Sequence, residues 1–472
     1  MSQLRSVSPA DPSDVIGTFP VADEAAVDAA VARARAAFPA WRDAGLEARS
    51  AVLRRFQDLA RKAAPSLANL VAREVGKALW DARAEANLLA PKVDAILGDG
   101  MALVAPIEPA AGQRATWHPR GVLAVLGPFN FPLHLPNGHI IPALAMGNCV
   151  VFKPSELAPG CGARLVALLR EAGAPDGVVE IVHGGADTGR ALAACGDVDG
   201  LLFTGSYAAG RALKEATLDQ PGKILALEMG GKNAVMVLED ADLELAVAET
   251  ALSIAVSTGQ RCSCASRLFV QRSVVDRFAD RLVQTLREIR IGPPLEDGVF
   301  MGPLVSAAAH DKLSRYRRLA SEAGGERVLE VDPGLPAPYV GAGLVRFPEA
   351  KQTHPYQRDE IFGPEAALYP VDDLQAAIAA VNDSDYGLAA SIFSADRAHY
   401  DHCVGRIRTG ILNWNKGTVG ASGKLPFGGS GRSGNDRPAG ITATLYCATP
   451  QAHIESEAPL DPEALPPGFP RP

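Results

Sequence analysis

The sequence predicts a parallel α/β fold built as two domains. Three observations carry it: short apolar runs alternate with helix-like stretches from about 120 to 230, the alternation resumes after residue 264, and 472 residues are too many for one compact core. The elements follow in order. "DEAAVDAAVARARAAF" at 23–38 reads as an Ala-rich helix, and 47–76 and 80–98 carry apolar residues at spacings of three and four. Then the texture changes. "GVLAVLG" and "NCVVFKPSE" are apolar runs closed by Gly or Pro, as buried parallel strands are. "GARLVALLREAGAP" is a helix with a Gly-Ala-Pro stop, and "VVEIVHG", "GLLFTGS" and "ILALEMGG" are further strands. Beyond the cysteines, "RLFVQ", the helix "VVDRFADRLVQTLREI" and "LAASIFS" form the second α/β unit. The closing "PLDPEALPPGFPRP" holds six prolines and reads as an extended tail.

Composition narrows the function. Apolar residues make up 47% and charged residues 21%, an ordinary globular balance. A net charge of −8 argues against nucleic acid or an anionic membrane as partner. Seven scattered cysteines fit a reducing compartment, so a cytoplasmic protein without a disulfide framework is expected. "MSQLRSVSPADPSD" lacks the apolar stretch of a signal peptide, and the longest apolar run is cut by Pro128, Pro132, Pro136 and Pro142.

Several motifs carry chemistry, each beside a plainer reading. Gly429, Gly431 and Gly434 match G-x-G-x-x-G, but no strand precedes them and "NDRPAG" follows, so a dinucleotide fingerprint is rejected. "LLFTGSYAAGRAL" has the missing context: a strand ends at Thr204-Gly205-Ser206 and a helix starts, suiting a pyrophosphate or simply a capped turn. Lys153 and Glu156 in "FKPSE" follow another strand; the carboxylate suits ribose hydroxyls and would repel a 2′-phosphate, or the two form a solvated pair. His134 and His139 are expected to hold no metal, because Pro136 and Gly138 break any helix between them. Cys262 and Cys264 lack a second pair at zinc spacing, and a disulfide across one residue would be strained. A nucleophile or a buried small residue remains. Gly259 permits a close backbone approach, Arg261 adds a charge that favours thiolate, and Glu228 offers a carboxylate to activate water.

Taken in order, these motifs resemble the aldehyde dehydrogenase superfamily over nearly the whole chain. "GPFNFP", "FKPSE", "FTGS", "LEMGGKN", "GQRC", "EIFGP" and "PFGGSGRSG" all stand in the family's sequence, with Glu228 and Cys262 34 residues apart. The resemblance implies Cys262 as nucleophile, Glu228 as the base for deacylation, and Asn130 with the Cys262 N–H as oxyanion donors. It implies NAD as cofactor, with Lys153 and Glu156 at the adenosine ribose, Gly205 and Ser206 at a phosphate, Glu360 at the nicotinamide ribose and Phe362 beside the ring. Family members that acylate coenzyme A generally lack this glutamate, so hydrolysis to the acid is expected.

Family members acting on glutamate semialdehyde grip its α-carboxylate with a Ser after the nucleophile and a Gly-Ala loop; Ser263, Gly420 and Ala421 match. Arg261, Arg432 or Arg437 would meet a second carboxylate. The resemblance further implies a Rossmann-like NAD-binding domain over 1–100 and 120–228 and an α/β catalytic domain over 229–440. Strands at 101–119 and 441–456 would pair between subunits of a homodimer or homotetramer, and 457–472 form the Pro-rich tail. A broad-specificity aldehyde dehydrogenase, one for glutamate semialdehyde itself, or a non-catalytic NAD-binding or structural protein on the same fold, stays open at this point.

Overall fold

The computed structural model describes residues 2–471; Met1 and Pro472, at the outer limits of the expected ranges, lie outside the described residues. The first sheet has five parallel strands in the spatial order Val179–Ile181, Cys149–Lys153, Val122–Leu126, Gly200–Gly205 and Ile224–Met229. Val122–Leu126 and Cys149–Lys153 are buried along their whole length, which is why they read as unbroken apolar runs rather than alternating ones. The chain starts in the middle at Val122–Leu126, winds outward one way, then returns to lay Gly200–Gly205 against its other side. At such a reversal the carboxyl ends of neighbouring strands diverge and leave a crevice.

The second sheet has seven strands, ordered Glu326–Glu330, Gly343–Arg346, Glu365–Val371, Ala265–Gln271, Asn233–Val237, Ala389–Phe393 and Ile411–Trp414. The edge strand Glu326–Glu330 runs antiparallel to its neighbour, and the other pairings are parallel. Separate apolar clusters fill its two faces, while a larger one surrounds the first sheet. Only Gly230, Gly231 and Lys232 separate the last strand of the first sheet from the central Asn233–Val237. A third, antiparallel sheet joins Ala448–Ile454, Gln113–Pro119 and Ile107–Ala110. No helix among the described residues is long and apolar enough to cross a membrane.

Prolines account for two departures from expectation. The helix expected over 80–98 divides into Leu79–Asn87 and Leu89–Ala95, then a wider turn at Ile96–Gly100. Pro91 has no N–H for the Asn87 carbonyl, so the ladder breaks there. In the other direction, Pro136 and Gly138 do not break the chain after His134: a helix spans His134–Met146. Pro136 falls in its first turn, where N–H groups have no intrahelical acceptor, and Pro142 costs only the Gly138 carbonyl its partner. The buried Glu85 carboxylate receives the N–H groups of Leu133 (2.9 Å) and His134 (3.1 Å) at the start of this helix. The N-terminal hairpin of Gln3–Val7 with Val15–Pro20 was not anticipated.

Candidate active site

A cavity of about 470 Å³ opens beyond the carboxyl ends of the first sheet, at the reversal of strand order. Its walls include Lys153, Glu156, Gly205 and Ser206 from one side, and Glu360 and Phe362 from the other. Asn130, Glu228 and Cys262 face the same cavity. Thus the nine residues expected to bind cofactor or carry chemistry all line one space. Ser263, Gly420 and Ala421 do not line it. Ser263 is buried and the Gly420–Ala421 loop exposed, although Val419 packs with Cys264 and so brings that loop to the nucleophile segment.

Each cofactor-side residue is fixed by its element. Lys153 ends a buried strand, and its ammonium donates to the carbonyls of Gly184 (2.7 Å) and Pro154 (3.0 Å), 3.9 Å from the Glu156 carboxylate. Burial lowers the Lys153 pKa, and Glu156 offsets part of that. Ser206 caps the helix Tyr207–Ala216, its hydroxyl receiving the Ala209 N–H at 3.3 Å, which leaves earlier N–H groups facing the cavity end. Glu360 receives the Gly231 N–H at 2.9 Å. Its other carboxylate oxygen would be 2.0 Å from any Cβ on Gly230, so only glycine lets the two segments meet. Burial pushes Glu360 up to about 7, against the pull of the Gly231 N–H, Lys312 and Lys232. Phe362 stands edge-on to Phe129, ring centres 5.8 Å apart.

The reactive groups sit at the junction of the sheets. Glu228, 4% exposed, ends the last strand of the first sheet; one oxygen receives the Ala439 N–H at 3.1 Å and the other has no partner. Burial raises its pKa well above the carboxylate range, the Ala439 N–H countering only in part. Asn130 spends one amide hydrogen on the Gln260 carbonyl (2.8 Å), and its second remains for another acceptor. Cys262 follows a stretch in which Ser257, Thr258 and Gly259 all have positive φ. Burial pushes its thiol up to about 12, with the charges of Glu360 and Glu228 adding to the effect.

Arg261 pulls the Cys262 thiol down, in the expected direction, but burial outweighs it. Its guanidinium is held by Asp81 (2.7 Å) and the Ser257 hydroxyl (2.8 Å), which answer its charge. Arg432 pairs with Asp385 at 2.9 Å, and Arg437 lies exposed with a bond to the Asp436 carbonyl. The seven cysteines are free thiols. His139 is bound to Tyr446 (2.8 Å) and Thr204 (3.2 Å) inside the core. The rejected glycine pattern is a packing loop: Ser433 receives the Met229 N–H at 2.9 Å, and Gly434 bridges Glu228.

Sequence reasoning missed Asn233. Its amide donates to the carbonyls of Cys262 (2.7 Å) and Cys264 (2.8 Å) and accepts from the Ala389 N–H (3.0 Å). It ties the nucleophile segment to the centre of the second sheet. The available signal was a polar amide opening an otherwise apolar run, "NAVMV".

A nucleophilic sulfur, an amide donor and an isolated carboxylate around one cavity, beside a second set of groups suited to a dinucleotide, define a cofactor-dependent acyl-forming oxidoreductase. The chain belongs to the aldehyde dehydrogenase family, whose model matches residues 1–452. Among curated relatives it is 43% identical over 462 residues to an N-succinylglutamate 5-semialdehyde dehydrogenase of Caulobacter sp. (strain K31), covering 97% of this chain and 94% of that one. A relative of the same name from Sphingopyxis alaskensis is 43% identical over 443 residues, 92% of this chain and 90% of that one. Among solved structures, PnpE from Pseudomonas sp. WBC-3 in complex with nicotinamide adenine dinucleotide superposes with a TM-score of 0.91 at 32% identity, covering 98% and 96% of the two chains.

Proposed function

We propose that this protein oxidises N-succinylglutamate 5-semialdehyde to N-succinylglutamate with NAD, through a thioester on Cys262. The observation that carries the reading is the meeting of Asn130, Glu228 and Cys262 in the cavity that also holds Lys153, Glu156 and Glu360. The substrate is supported by the relatives named above. The cavity fits a dinucleotide: carboxylates stand on two walls to accept ribose hydroxyls, with the capped start of Tyr207–Ala216 also lining it. Lys153 and Glu156 would hold the adenosine ribose, Gly205 and Ser206 a phosphate, and Glu360 and Phe362 the nicotinamide end. Bound NAD supplies the acceptor for the hydride that leaves the aldehyde carbon.

The chain's own residues do the rest. Cys262 sulfur adds to the carbonyl carbon as its proton passes to solvent water, and the carbonyl oxygen becomes an alkoxide. The free hydrogen of Asn130 and the Cys262 N–H stabilise that charge as it develops. Once the carbon has lost hydride, the sulfur carries a thioester. Glu228 in its ionised form, whose second oxygen has no partner among the described residues, takes a proton from water. Hydroxide attacks the thioester carbon, the C–S bond breaks to release the acid, and Glu228 passes its proton to the departing sulfur, restoring thiol and carboxylate. A buried carboxyl with a raised pKa is a stronger base once ionised than a solvated one, which suits it to this step.

Ser263 and the Gly420–Ala421 loop would hold the α-carboxylate. The three-stranded antiparallel sheet would pair between subunits in a homodimer or homotetramer, working in the cytoplasm, where seven unpaired thiols stay reduced. The test is a panel of aldehydes followed by NADH absorbance. The succinylated semialdehyde should exceed hexanal in kcat/KM by at least about tenfold, as a charge-assisted contact gives. Equal values end the substrate assignment. Binding of NAD with neither turnover nor alkylation of Cys262 by a thiol reagent ends the enzymatic one.

A further inference from the structure

Three cationic side chains lie around Phe131 and His134, next to the nucleophile segment. Lys77 and Arg261 approach the Phe131 ring at 3.8 Å and 4.9 Å, and both have carboxylate partners: Glu85 at 2.5 Å and Asp81 at 2.7 Å. Lys92 does not. It is 6% exposed, its ammonium donates to one group, the Gly440 carbonyl at 2.9 Å, and no carboxylate among the described residues lies within 4 Å of it. An ammonium carries three donors, and burying one without a counter-charge is costly, so two unanswered hydrogens at such a site call for an anion.

The one partner of Lys92 belongs to the segment that holds Glu228. Gly440 follows Ala439, whose N–H holds Glu228, and it pairs with Pro426 as Ala439 pairs with Phe427, a wall of the active-site cavity. On the other side, a Cβ on Gly138 would touch, outside its own helix backbone and chain neighbours, only the Lys92 side chain, at an ordinary contact distance of 3.8 Å, so this glycine leaves the lysine uncrowded on that side. His134, four residues earlier on the same helix face, has a buried Nδ1 with no partner. Burial, together with the charges of Lys92, Lys77 and Arg261, pushes His134 down to about 3, so its ring is neutral and free to donate one hydrogen.

We propose that Lys92, assisted by His134, binds a carboxylate of the aldehyde substrate on the side that Gly138 leaves uncrowded, and so selects acidic aldehydes over neutral ones. The inference rests on the substrate reading above and names the residue that enforces it. None of Arg261, Arg432 and Arg437 is the primary anchor: the first two are committed to Asp81 and Asp385, and the third is exposed.

The experiment compares kcat/KM for N-succinylglutamate 5-semialdehyde and for hexanal in the wild type, Lys92→Met, Lys92→Arg and His134→Leu. The ratio of the two values should fall about 10- to 100-fold in Lys92→Met, the span of a lost charge-assisted bond. It should fall less in His134→Leu and be largely restored in Lys92→Arg. Because the readout is a ratio, loss of folded protein does not imitate the effect. A ratio within twofold of wild type in Lys92→Met overturns this inference alone. A wild type that shows no preference for the succinylated aldehyde brings down the substrate reading, and this inference with it.

Discussion

At the residue scale, the proposed chemistry divides between a sulfur and a carboxyl, each pushed by burial toward its protonated form. Cys262→Ser should abolish turnover. Glu228→Gln should release one equivalent of NADH and stall at the thioester, seen as a stopped-flow burst with no steady state; sustained turnover in that variant would mean another base. The same carboxyl has a stability signature. Its folded pKa lies above its unfolded one, so as pH rises through the ordinary carboxylate range the unfolded chain sheds the proton first, and folding loses stability until the raised folded value is passed. Glutamine carries no such penalty. The gain in urea midpoint of Glu228→Gln over wild type should therefore grow as pH rises above the ordinary carboxylate pKa of about 4.3; a shrinking gain rejects the assignment. That Cys262, Glu228 and Asn130 line one cavity was legible because each sits inside a local motif that stands intact in the sequence. The pairing of Arg261 with Asp81 was not, because the two lie 180 residues apart. Lys92 was hidden for a like reason, since its one partner is 348 residues distant.

At the element scale, three backbone segments build the centre: 228–233 crossing between the sheets, 256–264 carrying the sulfur, and 360–364 lying against it. Gly259 is where the last two touch. It has φ +70°, and a Cβ there would come 2.1 Å from the Gly363 carbonyl carbon. Gly259→Ala should lower kcat at least about 100-fold and reduce stability by about 1–3 kcal/mol, since the loop must move to relieve the overlap. NADH kinetics with urea denaturation of the same samples checks both; an unaltered kcat would show that the loop has room. The parallel strands were legible as apolar runs, because burial on both faces removes the polar alternation. Asn233–Val237 escaped notice because only three residues part it from the strand before it. The proline-bearing helix His134–Met146 escaped because position within a helix, not proline itself, decides whether the missing N–H matters.

At the scale of the whole molecule, two parallel sheets share one cavity, and a third sheet stands outside both. That outer sheet shows large apolar side chains to solvent: Ile454 is 88% exposed and Ile107 55%. If this surface joins subunits, Ile454→Lys should shift the sedimentation profile toward a lighter species while NAD affinity stays within about twofold, because the cofactor walls lie elsewhere. An unchanged profile would remove this sheet from the interface. The two-sheet plan was legible from alternation alone, whereas the placement of the outer strands came from a resemblance and not from their composition. One consequence concerns the protein between meals. Burial pushes the Cys262 thiol up to about 12, and the other six thiols are likewise pushed up by burial. Peroxide, like other thiol reagents, reacts with the thiolate, so the same burial that raises these pKa values slows every such attack without forbidding it.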